Sequence, residues 1–238
     1  LYSIHFTTEE NGWAVGWPGQ ILFTNDGGNN WATQFSGSLF LLNSVVFINN
    51  NIGWIIGERG IIMKTDNAGD DWIFQSSGEL SHLNKVYFVD ANYGWVVGDG
   101  GLLLQTTNGG DSWFTINLET SYNLNAITFY RTFSGVLIGW LVGDGGLVYR
   151  TLDTGKTWIK LDTGYYMRLS RVDFNSPVDG VIAGDDGYIL RTIDRGERWE
   201  RISIGTTAPI RDVHFINRWQ GYAIGDNGMM VRLQGNSR

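Results

Sequence analysis

The chain of 238 residues contains no cysteine and only three prolines and three histidines. Without thiols, disulfides, thiolate catalysis and zinc-finger spacing are all excluded, and histidine this scarce builds no metal cluster, so neither a metal nor a cofactor is expected. No apolar run approaches the ~18 residues that a membrane helix needs; the hydrophobic stretches are short and end at Gly, Asn or Asp. Charged residues are sparse at 17%, against roughly 25% in an ordinary domain. The net charge of −7 argues against nucleic acid as a partner, because phosphate binding needs dense Lys and Arg. Few prolines and no every-third-residue glycine remove collagen-like and low-complexity readings. The chain starts at Leu1 without Met or a leader-like segment, which reads either as a processed mature chain or as an excised segment.

Glycine and aromatics are what the chain has in excess: 33 Gly, 11 Trp, and aromatics at 14%. They are periodic. A Gly followed by an aromatic or apolar residue stands at Gly12, Gly53, Gly94, Gly139, Gly180 and Gly221. A second landmark follows at Trp31, Trp72, Trp113, Trp158 and Trp199, and a third precedes it at Leu1, Leu42, Leu83, Leu124, Leu169 and Ile210. The period is about 41 residues, lengthened once by extra residues between Tyr130 and Ile138, where loops absorb insertions at little cost. In the second unit, residues 43–48, 54–56, 61–65 and 72–75 read as four short strands separated by turn formers. Such a unit cannot cover both sheet faces alone, and radial stacking of units solves that. The expected fold is therefore an all-β propeller of four-stranded antiparallel blades in one domain spanning 1–238, with six visible repeats beginning near 1, 42, 83, 124, 169 and 210. The sixth lacks a fourth strand: after 229–233 the segment 234–238 carries no box and no Trp.

The turn before the fourth strand reads Thr24-Asn25-Asp26-Gly27-Gly28-Asn29-Asn30-Trp31, and Thr, Gly and Trp recur in five copies. Its third position is Asp26, Asn67, Asn108, Asp153 or Asp194. Asp and Asn both accept backbone N–H bonds, but only Asp titrates, so the position reads as turn chemistry and not as a catalytic carboxylate. The Gly of each box is expected at positive φ and the Trp between blades. Thr-x-Asp-x-Gly-x-x-Trp resembles the Asp-box of bacterial neuraminidase repeats. The longer unit from Gly94 to Thr106 resembles the repeat of the photosystem II stability and assembly factor family, and the likeness runs along nearly the whole chain. That resemblance implies a seven-bladed, non-enzymatic propeller that binds a protein partner during assembly of a membrane complex, in an extracytoplasmic compartment. It also implies basic residues just before the repeat Thr; here these places hold Phe23, Lys64, Gln105, Arg150, Arg191 and Arg232. The three consecutive arginines could form a strip for an acidic peptide, or cover apolar surface and pair with an Asp of the next blade.

Alternating strands send the second-to-third-strand turns and the blade connections to one face. Asp-Gly pairs in these turns read as two-residue hairpin turns. Blade 1 breaks the pattern by placing Trp17 where Glu58, Asp99, Asp144, Asp185 and Asp226 stand elsewhere, and Trp17 is expected to be exposed. With Arg59 in the same set of turns and Phe40, Tyr122, Tyr165, Tyr166 and Arg168 on the connections, it forms the candidate partner-binding set, since rigid aromatics near Arg favour hot spots. Carbohydrate stacking on the same aromatics is the alternative binding reading, and a sialidase-like glycoside hydrolase the enzymatic one. The neuraminidase Arg-Ile-Pro signature is absent, and the regular turns do not suggest two carboxylates in different environments; the chain is read as a non-enzyme.

Overall fold

A computed structural model describes residues 1–217 and 220–234. Short runs with β-branched and aromatic residues, punctuated by Gly and Asn, form 23 strands and no α-helix among the described residues, so none of these residues lies in a helix long and apolar enough to cross a membrane. Blade 1 comprises β1 (Ser3–Phe6), β2 (Gly12–Gly16), β3 (Gln20–Thr24) and β4 (Ala32–Gln34). Blade 2 comprises β5 (Leu42–Phe47), β6 (Gly53–Gly57), β7 (Ile62–Thr65) and β8 (Ile73–Gln75), and blade 3 β9 (Leu83–Phe88), β10 (Gly94–Gly98), β11 (Leu103–Thr106) and β12 (Phe114–Thr115). These three make one compact unit, residues Leu1–Ser121. The second unit, Tyr122–Arg238, begins with blade 4: β13 (Leu124–Arg131), β14 (Leu137–Gly143), β15 (Val148–Thr151) and β16 (Ile159–Leu161). Blade 5 follows with β17 (Leu169–Phe174), β18 (Gly180–Gly184), β19 (Ile189–Thr192) and β20 (Glu200–Ile202), and blade 6 with β21 (Ile210–Asn217), β22 (Gln220–Gly225) and β23 (Met230–Gln234). Every blade is an antiparallel meander in chain order, four-stranded in blades 1 to 5 and three-stranded among the described residues of blade 6. The fold class is that of the β-propeller. Residues 235–238, where the sixth box is missing from the sequence, lie outside the described residues.

The Gly-Trp pair sets the blade-to-blade fit within each unit. Gly53 lies against the Phe47 ring of its own blade, where a Cβ would come within 2.6 Å of ring carbons. The other face of that ring receives Trp13 of the preceding blade, stacked at 3.6 Å and 15°. The same stack joins Trp54 to Phe88 at 3.6 Å and Trp140 to Phe174 at 3.5 Å. Each of these indoles is fully buried and donates its Nε1–H to a carbonyl in the next blade's box: Ala68, Gly109 or Arg195, all at 3.0 Å. Near the start of the inner strands, Asn43, Asn125 and Ser170 donate to the carbonyls of Leu83, Leu169 and Ile210, each at 2.8 Å. These six polar side chains at the blade joints thus have partners, as the cost of leaving them unpaired requires.

The box Trp packs on the Phe of its own blade, and in blade 2 it also reaches the preceding blade as expected, Trp72 donating its Nε1–H to Gln34 Oε1 at 3.3 Å. Trp72 meets Phe47 of its own blade edge-on at 5.8 Å, and Trp113, Trp158 and Trp199 do the same with Phe88, Phe129 and Phe174. Trp31 packs so on Phe6 and donates to the Gly28 carbonyl, as Trp158 does to Gly155. The face-to-face ring stack between blades is made by the Trp of the Gly-Trp pair. The box turn itself follows the reading: Gly28, Gly69, Gly110, Gly155 and Gly196 have φ between 80° and 92°. The Thr hydroxyl accepts the box Gly N–H, and Oδ1 of Asp26, Asn67, Asn108, Asp153 or Asp194 accepts the N–H four residues on. Hydrogen bonds from the Asn30 backbone, the Asn30 side chain and the Thr24 hydroxyl hold the Asp26 carboxyl below its ordinary range. For Asp153 and Asp194 partial burial pushes upward, and the hydrogen bonds outweigh it, so both titrate below the ordinary value.

Two further points differ from the sequence reading or extend it. The second-to-third-strand turns are three-residue 3₁₀ turns, Glu58–Gly60, Asp99–Gly101, Asp144–Gly146, Asp185–Gly187 and Asp226–Gly228, not two-residue hairpins. In blades 2 to 5 their last Gly presses on the following connector: a Cβ on Gly60 would fall 1.9 Å from the Glu79 carbonyl oxygen. The insertion in blade 4 lengthens β13 and β14 together, pairing Tyr130 with Ile138 and Arg131 with Leu137, and leaves Phe133 fully exposed at its tip.

Two outcomes follow from this packing. Trp54→Ala removes the stack and the carbonyl bond together and is expected to cost ~3–5 kcal/mol in urea unfolding; a loss under ~1 kcal/mol would contradict the interlock. Because the Asp26, Asp153 and Asp194 carboxyls titrate below their unfolded values, the stability they add is complete above the unfolded Asp value of ~3.9 and is lost as pH falls from there through the folded values. Replacing all three by Asn, the residue already serving at Asn67 and Asn108, flattens the acid limb of the stability curve. Asp153→Ala costs about 1 kcal/mol at neutral pH.

Candidate functional site

In blades 2 to 6 the first residue of the 3₁₀ turn is an acid used locally. Glu58 accepts the Leu41 N–H at 3.2 Å, Asp99 the Asn84 amide at 2.8 Å and Asp144 the Asn125 amide at 2.9 Å. Asp226 is gripped by two bonds from Arg211 at 2.7 Å, which hold its carboxyl below the usual range. Glu58, Asp99, Asp144 and Asp226 are thus engaged at the start of their own blade's inner strand.

Blade 1 has Trp17 in that place, and its indole is 66% exposed. The Trp17–Pro18 peptide is cis, and the turn is pinned to the connector behind it: Gly19 N–H donates to the Phe40 carbonyl at 2.9 Å, and the Ser36 hydroxyl to the Gly19 carbonyl at 2.6 Å. That connector brings Phe35, 89% exposed, and Leu39, 81% exposed, beside the turn. An open cleft of about 420 Å³ lies along the turn and the connector, lined by Pro18, Gly19, Gln34, Phe35, Ser36 and Ser38 among others. From blade 2, Arg59 reaches over the Phe40 ring, its guanidinium 4.6 Å from the centroid. Arg59 does this from the left-handed region, at φ 56°, a conformation costly to a residue with a Cβ. The arrangement is a rigid apolar ridge with a cation at its edge.

Phe35 and Leu39 were not among the sequence candidates, although the repeat held a signal for the first. Ser76, Asn117, Asp162 and Ser203 occupy the place of Phe35 in the other blades, so its exposed ring is an exception of the same kind as Trp17.

In the second unit Tyr122 and Tyr166 are exposed on connectors, whereas Tyr165 is partly buried and packs edge-on against Tyr188 at 5.7 Å. Arg168 is half-exposed and pairs with Asp144 at 3.3 Å. The expected strip of three arginines is not assembled. Arg150 is buried, donating to the Arg195 carbonyl at 3.1 Å and pairing with Glu197 of the next blade at 2.7 Å. Arg191 makes two bonds to Asp179 of its own blade, at 3.1 and 3.0 Å. A guanidinium beside a packed sheet must be paired or solvated, and these two are spent on architecture. Arg232 is exposed.

The family model described as Photosynthesis system II assembly factor YCF48 matches in overlapping stretches, residues 1–81, 45–126, 75–165 and 113–211. A search of the curated proteins returns no match. Among solved structures, YCF48 bound to D1 peptide aligns with a TM-score of 0.54 and 18% identity, over 99% of this chain and 91% of that one. YCF48 from Cyanidioschyzon merolae aligns with a TM-score of 0.54 and 19% identity, over 98% and 95%. An ancestral GH74 enzyme superposes with a TM-score of 0.76 at 17% identity, and the GH74 enzyme of Niastella koreensis with 0.75 at 15%. This chain spans only 39% and 44% of those two enzymes, and at such identities these likenesses are of fold. The matched stretches of the family model together cover residues 1–211, and the chain belongs to the Photosynthesis system II assembly factor YCF48 family.

Proposed function

We propose that this protein is a non-catalytic scaffold that docks a protein partner of a membrane-associated complex in an extracytoplasmic compartment, with the ridge of Trp17, Phe35, Leu39 and Phe40 and the neighbouring Arg59 as its principal contact. One observation carries the reading: three large apolar side chains, Trp17, Phe35 and Leu39, are more than half exposed on one turn and the connector tied to it by hydrogen bonds. Preorganised aromatics lose little freedom on binding, and exposed apolar clusters of this kind mark interaction surfaces. Family membership and a structural neighbour solved with a bound peptide support the class of partner. Tyr122, Tyr166 and Arg168 of the second unit offer additional contacts of the same character, backed by Tyr165.

The test is photo-crosslinking from position 17 in native membrane extract, followed by affinity measurement with the captured protein. Trp17→Ala is expected to weaken binding by ~30-fold, the ~2 kcal/mol of a hot-spot residue, and Arg59→Ala by a smaller factor, with the unfolding midpoint unchanged in both. Unaltered affinity in Trp17→Ala would sink the assignment.

A further inference from the structure

In the first unit the turns and connectors are joined into one band by backbone hydrogen bonds. The turn at Trp17 is tied to the connector 36–41 through the Gly19 N–H and the Phe40 carbonyl, and the Glu58 N–H of the next turn takes the adjacent Leu41 carbonyl at 3.0 Å. One blade on, the pattern repeats: Gly60 N–H donates to the Ser81 carbonyl and Asp99 N–H to the His82 carbonyl, both at 2.9 Å. Leu80, the counterpart of Leu39 in the second connector, is 84% exposed, so the apolar ridge continues along the band. Acids share it. Glu58, Glu79 and Asp99 lie on these turns and connectors, and Glu119 on the next connector, against which Gly101 presses at the Thr120 carbonyl. The donors that reach them are neutral: the Leu41 N–H on Glu58, the Asn84 amide on Asp99, and the Thr115 hydroxyl, 3.5 Å from Glu79. Among the described residues none of the four pairs with a Lys or Arg; His82 stands 3.9 Å from Glu58. In the second unit, by contrast, Arg150, Arg168, Arg171, Arg191 and Arg211 each pair with an acid. Residues 1–121 hold twelve Asp and Glu against three cations, Arg59, Lys64 and Lys85, of which only Arg59 is on the band. Glu119 is exposed and stands at φ 54°, where the other connectors have Gly37, Gly78, Gly164 and Gly205; a carboxylate is thus kept at a place costly to any residue with a Cβ.

We infer that the partner segment docked by this band is cationic and amphipathic: its apolar side chains seat on Trp17, Leu39, Phe40 and Leu80, and its Lys or Arg side chains meet Glu58, Glu79, Asp99 and Glu119. The inference rests on the reading of the Trp17 ridge as a docking surface and adds the chemistry of what docks there. Buried apolar anchors supply most of the affinity of an interface, whereas complementary charge at its rim speeds encounter and rejects wrong partners. Uncompensated acids around exposed apolar residues therefore select a basic segment. The same charge disfavours an anionic lipid surface, which attracts basic segments and repels acidic ones.

The probe is a short synthetic peptide of Leu and Lys with its leucines on one helical face, beside a twin in which Glu replaces every Lys, each titrated by fluorescence anisotropy against the full chain. Saturable binding of the Lys peptide, weakening as salt rises, and no binding of the Glu peptide are expected. Glu79→Lys combined with Glu119→Lys should weaken binding about tenfold, and Leu80→Ala should weaken it several-fold. Glu9→Lys combined with Glu10→Lys, in the first-to-second-strand turn of blade 1, should leave it unchanged. Glu79→Gln with Glu119→Gln keeps the test valid if the Lys pair fails to fold. The same variants are then measured with the protein captured by crosslinking from position 17. A captured protein that loses affinity on Trp17→Ala but is indifferent to the changes at Glu79 and Glu119 overturns this inference and leaves the ridge standing; one indifferent to Trp17→Ala removes the ridge and the inference with it. Equal binding of the two peptides, or an equal loss from the changes at Glu9 and Glu10, which would mark net charge alone, overturns it as well. So does binding to phosphatidylglycerol vesicles that Trp17→Ala abolishes, or capture of a second copy of this chain.

Discussion

The stack of a tryptophan from one blade on a phenylalanine of the next is the contact on which the architecture rests. It explains three recurrent residues at once. The Phe ring has one face against its own blade, and only a glycine leaves room there; the other face is covered by indole; and the indole nitrogen finds a carbonyl in the following box turn. Aromatic pairs contribute beyond their buried area, but the more important consequence is geometric. A flat ring held between a sheet and a second ring permits little sliding, so the three joints built on this stack repeat with nearly the same distance and tilt.

Once the joints are set, the remaining letters of the repeat are accounted for by local hydrogen bonding. The interchange of Asp and Asn in the boxes is permitted because the shared function is to accept the N–H four residues later, which either oxygen does. The acids of the 3₁₀ turns are held by groups at the start of their own inner strands. Arginines before the box Thr are neutralised by Glu197 and Asp179. Residues that look like a binding constellation when written in a column are thus, in the fold, largely each other's partners.

This is why architecture could be read from the letters more completely than function. Periodicity located the strands to within a residue or two, because Gly, Asn and Asp interrupt every apolar run. The exceptional Trp17 was visible for the same reason: a column of acids makes a single indole conspicuous. What the column could not disclose was partnership in space. Nothing in the spacing of Arg150 says that Glu197 of the next blade will reach it, and the roles of the two tryptophans in each unit were interchangeable on paper. Phe35 escapes such a reading because it stands just past the box Trp and outside the repeat's landmarks, although its equivalents are all polar.

The hairpin enlarged in blade 4 has a broader meaning. Its added residues extend two strands along their own direction, so Gly139 stays against Phe129 and Trp140 keeps its stack on Phe174 of blade 5. Growth along the strand axis is therefore invisible to the interior. A lineage can lengthen, decorate or retire such a spike, with its solvent-facing Phe133, without renegotiating a single interior contact, and novelty in molecules of this design should accumulate at their rims long before it reaches their joints.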